Sequence, residues 1–238
     1  MKKIWLAIVI FCLPPPDALQ AALTIEITQG MEGAVPIAVV PFSTSGSGST
    51  PREDVAAIIA ADLARSGRFA PAAEQDLIGR PSDIGEVRFP DWRTLGVENL
   101  VIGTVETVGA DQYRIQFRLF DVFRARQIAG YRLPASAARL RHVGHTSSDI
   151  IYEKLTGQPG AFATRIAYVI SDKVNGARQY QLQLADSDGH NPKTLLTSQQ
   201  PLMSPSWSPD GRKLAYVSFE KRRASVFVQD IVSGMREK

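Results

Sequence analysis

Histidine, cysteine, serine and carboxylate side chains carry most protein chemistry, and this chain of 238 residues holds three histidines and one cysteine. His142 and His145 stand three apart in a stretch that reads as helix, so they could share a face. Two histidines without a third ligand make a poor zinc site, and packing or surface roles suit them better. His190 follows Asp188-Gly189 in a turn. No serine is framed as Gly-x-Ser-x-Gly, the strand-to-helix corner that exposes a nucleophile. The Ser43–Ser49 loop is rich in serine and glycine, but no lysine follows Gly46 or Gly48 at the spacing a phosphate cradle needs. Asp54 and Asp62 lie on a predicted helix with no acid or histidine close in sequence, and read as solvated charges. The residue types therefore predict no catalytic set, no metal site and no cofactor.

Charge adds little. The net charge is +3, and the only basic clusters, Arg139–His142 and Lys221–Arg223, are short. Neither is interleaved with aromatics as a nucleic-acid platform would be, so both read as solvated faces. The amino terminus is more telling. Met1-Lys2-Lys3 precedes an unbroken apolar run from Ile4 to Leu13, then Pro14-Pro15-Pro16 and the small residues Ala21-Ala22. This is the pattern of a secretory signal peptide over residues 1–22, and the run is too short for a membrane anchor. Cys12 lies inside it behind Ile10 and Phe11, which lack the small side chains that precede a lipid-modified cysteine. The exported protein would keep no cysteine, and its length allows a full core without a disulfide.

The elements beyond it follow from periodicity. Leu23, Ile25 and Ile27 alternate with Thr24, Glu26 and Thr28, a strand pattern at the front of the exported chain. Such a terminal strand is either tied into a sheet or free to pair with another edge. Residues 23–34 read as this strand and a linker. Val35–Phe42 is almost continuously apolar, so it predicts a strand buried on both faces. Thr50-Pro51-Arg52-Glu53 reads as a capping box, with Val55, Ile58, Ile59 and Leu63 on one helical face and Gly67 as the stop. Phe69–Ile78 is ambiguous, and Pro90–Leu95 gives one or two helical turns ended by Gly96. Three strands are predicted at 99–108, 112–122 and 126–134. Ser136 is expected to open a helix that runs through Leu155 to Gly157, with Leu140, Val143, Ile150 and Ile151 on its apolar side. Residues 35–158 thus predict an α/β domain, two main helices on a mixed sheet of about four or five strands.

The remainder, residues 159–238, changes character. Trp207-Ser208-Pro209-Asp210-Gly211 is a turn feeding the strand Lys213–Ser218. Ile166–Ser171 is echoed by Leu214–Ser218, and Tyr180–Gly189 by Ser225–Gly234, each at the interval of about 40–50 residues expected for one propeller blade. The corner resembles the repeat of bacterial β-propellers, in which the tryptophan wedges between blades and the turn joins two strands of one blade. A propeller closes with typically 4–8 blades. The chain stops in its second, so a fragment of a longer product is expected, with the strand around Val226 and Val228 uncovered.

A more specific resemblance emerges at the junction. Tyr152–Gly157, Gly160-Ala161-Phe162 and Thr164–Val169, together with Pro36–Phe42 and the Ser-Trp-Ser-Pro-Asp-Gly corner, resemble the TolB family of the Tol-Pal system across essentially the whole exported chain. The resemblance implies an α/β domain followed by a propeller, six-bladed in the family, most of which is missing here. It implies a periplasmic adaptor rather than an enzyme, linking inner-membrane TolA to the outer-membrane lipoprotein Pal and supporting outer-membrane invagination during division. Carried over by position, the TolA-binding strand is Leu23, Thr24, Ile25, Glu26, Ile27 and Thr28. Pal would dock on the propeller, with truncation impairing it. Nucleic acid is not implied, and membranes are reached only through partners. The competing class is the propeller portion of a secreted serine peptidase whose catalytic domain is missing.

Overall fold

The computed structural model describes residues 33–47 and 50–238. The expected signal peptide (residues 1–22) and the expected strand Leu23–Thr28 lie outside the described residues. Among those described, no helix is long and apolar enough to cross a membrane.

Strand β1 (Val35–Val39) runs parallel to both its neighbours, β3 (Phe69–Pro71) and β4 (Asn99–Gly109). Its residues Ile37 and Ala38, on opposite faces, are both fully buried, as the apolar run predicts. Pro41 has no N–H to offer the ladder. Pairing lapses there and resumes as β2 (Ser43–Ser45) further along β4. The Ser/Gly loop is therefore partly strand. From β4 the sheet continues as an antiparallel meander through β5 (Gln112–Asp121) and β6 (Arg126–Ser136). The order is β3-β1-β4-β5-β6 with β2 beside β4, so the mixed sheet has six strands rather than four or five. The short β2 and β3 escape detection because three residues carry no readable period.

Helices α1 (Val55–Arg65) and α3 (Leu140–Thr156) cover one face, closing a core of Ile37, Ile59, Leu63, Val101, Phe117 and Ile151. The short α2 (Phe89–Thr94) covers the other face at one end, over Val40, Leu100, Ile102 and Phe120 around Trp92. Two helix starts differ from expectation. Asp54, not Thr50, caps α1, its carboxylate accepting the Ala57 N–H at 3.0 Å. Ser136 still belongs to β6, paired with Gln112, and a 3-10 turn over Ala137–Arg139 precedes α3. Gly157 ends α3 at φ 74°, a left-handed cap.

Two antiparallel sheets follow. The first holds β7 (Arg165–Val174), β8 (Ala177–Asp186) and β9 (Lys193–Ser198). The second holds β10 (Leu202–Trp207), β11 (Lys213–Ser218), β12 (Ser225–Asp230) and β13 (Arg236–Glu237). They share a core of Leu182, Leu184, Leu202, Leu214, Tyr216 and Phe227, the arrangement of adjacent propeller blades. Trp207 packs on this core, and the Arg165 guanidinium lies 5.1 Å from its ring centre. The corner Ser208–Gly211 joins β10 to β11 within one blade. There Ser208 Oγ accepts the Lys213 N–H at 2.9 Å, and Asp210 accepts that of Arg212 at 3.0 Å. Val226 and Val228, on one face of β12, are exposed.

Candidate functional site

The chemistry-bearing residues converge along α3. Arg141, His145 and Asp149 are spaced four apart, which puts them on one face of the helix. That face meets α1, the linker into the blades and the turn after β8. Arg141 hydrogen-bonds Asp188 and approaches Glu53 at 3.5 Å and Asp186 at 3.8 Å. His145 places Nδ1 2.7 Å from Asp62 on α1, and its Nε2 lies 3.8 Å from Asp188. Asp149 accepts the backbone N–H groups of Phe162 at 2.7 Å and Ala163 at 3.1 Å. Gly160 is required there, because a Cβ would sit 2.6 Å from the Asp149 Cα. Tyr152, one helical turn on, stacks edge-on against both Phe69 and Phe162 and pins the linker from the core side.

Electrostatics at this junction are those of a buried cluster. The side chains of His145 and Asp62 are 3% and 1% exposed, and Asp188 13%. Burial pushes the Asp62 carboxyl up, yet hydrogen bonds from His145 and Ser148 and the charges of His145 and Arg65 outweigh it, so its pKa falls below the usual carboxylate range. Arg141 Nε and His145 Nε2 are buried without a hydrogen-bond partner among the described residues.

Several sequence expectations change here. Asp62 is not a solvated charge: it is buried and paired with a histidine 83 residues away. Arg141 is likewise not part of a solvated basic face, since it is enclosed by carboxylates. His142 and His145 do not share an environment, the first being exposed and the second buried. His190 is exposed beside its turn. The pairing of Arg141 with Asp186 and Asp188 is not readable from the sequence, although the four-residue spacing of Arg141, His145 and Asp149 is. A separate open cleft of about 620 Å³ lies where the chain enters β1. Among the described residues its lining, which includes Arg68, Glu98, Asp121, Arg126 and Lys154, holds no serine, cysteine or histidine.

An α/β domain stapled through one helix to the blades of a β-propeller defines the class of protein. Comparison with known proteins gives the family. Residues 23–128 match the family described as the TolB amino-terminal domain, and residues 152–238 the TolB beta propeller domain. The chain is 55% identical to the Tol-Pal system protein TolB of Nitrosococcus oceani over 98% of its own length and 53% of that relative. It is 51% identical to the protein of the same name from Thioalkalivibrio sulfidiphilus, over 100% of its length and 54% of the relative. The crystal structure of TolB from Acinetobacter baumannii superposes with a TM-score of 0.74 at 38% identity, covering 86% of this chain and 49% of that one. The chain belongs to the TolB family. It spans about half the length of the curated relatives it matches.

Proposed function

We propose that this protein is a non-enzymatic periplasmic adaptor of the Tol-Pal system, joining inner-membrane TolA to outer-membrane Pal and so supporting envelope constriction at division. The observation that carries this reading is the match of both halves, in order, to the two TolB domains. Export by a signal peptide over residues 1–22 leaves residues 23–34 as a strand and linker, 35–158 as the α/β domain and 159–238 as propeller. The left-handed cap at Gly157 supports the second boundary.

In this reading Leu23–Thr28 adds to the edge of a TolA sheet. Main-chain hydrogen bonds supply affinity, and pockets for Leu23, Ile25 and Ile27 supply register. Pal takes the propeller. Capture of purified TolA and Pal by residues 23–238 tests both halves of the idea. TolA is expected to bind, and Ile25→Pro to weaken it by removing a ladder donor. Pal is expected to bind less well than it does to a relative with the whole propeller. Unchanged TolA affinity in Ile25→Pro would overturn strand addition, and Pal capture at a whole propeller's affinity would overturn the placement of its site.

A further inference from the structure

We propose that His145, Asp186 and Asp188 form a site for one divalent metal ion of the zinc class, clamped between α3 and the turn that follows β8. One donor atom from each of the three lies within 4.8 Å of the others. Donors around a tetrahedral zinc at about 2.0–2.1 Å stand roughly 3.4 Å apart, so modest rotation of the two aspartates closes the set. Three protein ligands and an open fourth position suit an ion that keeps a water.

The histidine is prepared for this role. Asp62 engages Nδ1 at 2.7 Å, which leaves Nε2 as the nitrogen available to an ion. Nε2 is buried, has no hydrogen-bond partner and faces the Asp188 carboxylate. A buried ring nitrogen without a hydrogen bond, beside a carboxylate, is a position that a metal ion can fill. A carboxylate behind a histidine is the outer-shell arrangement that orients metal-bound imidazole and raises its basicity.

Charge points the same way. Asp62, Glu53, Asp186 and Asp188 face the guanidiniums of Arg65 and Arg141, an excess of two carboxylates over guanidiniums. One divalent ion balances that excess. Arg141 shares Asp188 with the ion and keeps Glu53.

The corresponding turn of the second blade uses its aspartate differently. There Asp230 spends its Oδ1 on its own turn, accepting from Val232 N–H at 3.0 Å and from Ser233 N–H and Oγ at 2.8 Å. In the first blade Asp186 accepts from the Asn191 side chain at 3.2 Å, and Asp188 spends Oδ1 on the His190 N–H at 3.0 Å while its Oδ2, held by Arg141, faces α3. Asp186 is 30% exposed at its side chain, which gives an ion a way in. Imidazole favours zinc over calcium or magnesium.

Isothermal titration of the chelator-stripped chain with Zn²⁺ tests the site. Expected are one equivalent bound at micromolar or tighter Kd and a Tm raised by about 5–10 °C at a hundredfold excess over Kd. Mg²⁺ and Ca²⁺ should give neither. Asp188→Asn and His145→Gln should weaken Zn²⁺ at least tenfold, while His142→Gln and His190→Gln, both exposed, leave it unchanged. If the junction variants fail to fold, Co²⁺ loaded into the unaltered chain gives a second readout, with visible ligand-field bands expected and an unperturbed aqueous spectrum overturning the site. The proposal also fails if Zn²⁺ produces no heat, or if binding survives in Asp188→Asn and His145→Gln but not in His190→Gln.

Discussion

Removing the Asp149 carboxylate should uncouple the blades from the α/β half. Asp149→Ala deletes two charge-assisted hydrogen bonds, to Phe162 N–H at 2.7 Å and Ala163 N–H at 3.1 Å. Such bonds to a charged group contribute about 1.5–3 kcal/mol each. The segment is only partly buried, so water recovers some of this and roughly 2–4 kcal/mol is lost. At about 2–4 °C per kcal/mol for a chain of this size, the affected transition should fall by roughly 4–16 °C. The protein carries its own probes. In a chain of residues 23–238, Trp92 and Trp207 are the two tryptophans, one in the α/β core and one on the core shared by the blades. Melting followed by fluorescence, with each tryptophan replaced by phenylalanine in turn, separates the halves. The Trp207 transition should shift by the full amount and the Trp92 transition by less, because the core around Ile59 and Ile151 does not depend on the linker. Asp149→Asn keeps one acceptor oxygen and should lose about half as much. Unshifted melting of Asp149→Ala at both probes would refute the clamp.

Two further outcomes follow from the packing and the charges. Gly103→Ala should destabilise the α/β half by about 1–3 kcal/mol in urea titration, since its Cβ would stand 2.6 Å from the Gln116 carbonyl oxygen and 2.7 Å from the Phe42 ring. Asp121 accepts the Arg124 N–H, which holds its pKa low against some burial, and the Arg124 guanidinium adds to this. Its folded value therefore lies below the unfolded one. That stability is present above about pH 4 and is lost as pH falls through the folded value, so Asp121→Asn should flatten the acid limb of the stability curve.

The elements that resolve local physics were legible before any coordinates. Alternation placed β4, β5 and β6 within a residue or two, and Gly157 and Gly96 marked helix ends because only a left-handed residue finishes them cheaply. The Ser-Pro-Asp-Gly corner placed the turn between β10 and β11 and the tryptophan on the inter-blade core. The start of α1 was misplaced because Thr50-Pro51 and Asp54 are both credible starts. Asp54 is the one that caps, while Glu53 reaches Arg141 instead. Strands of three residues, β2 and β3, have no period of their own and exist because β1 and β4 offer them an edge.

What the chain alone determined was its kind: an α/β domain followed by propeller blades. Spacing along one element tells which side chains share a face, and the stripe of Arg141, His145 and Asp149 obeys that rule. What that face would meet was decided only in three dimensions. Asp62 reaches His145 across 83 residues, and Asp188 reaches Arg141 across 47. Periodicity reports that a side is inward, whereas the identity of the opposing group depends on how two separately folded pieces dock. A charge that looks solvated in its own helix becomes half of a buried pair once the neighbouring helix brings the other half.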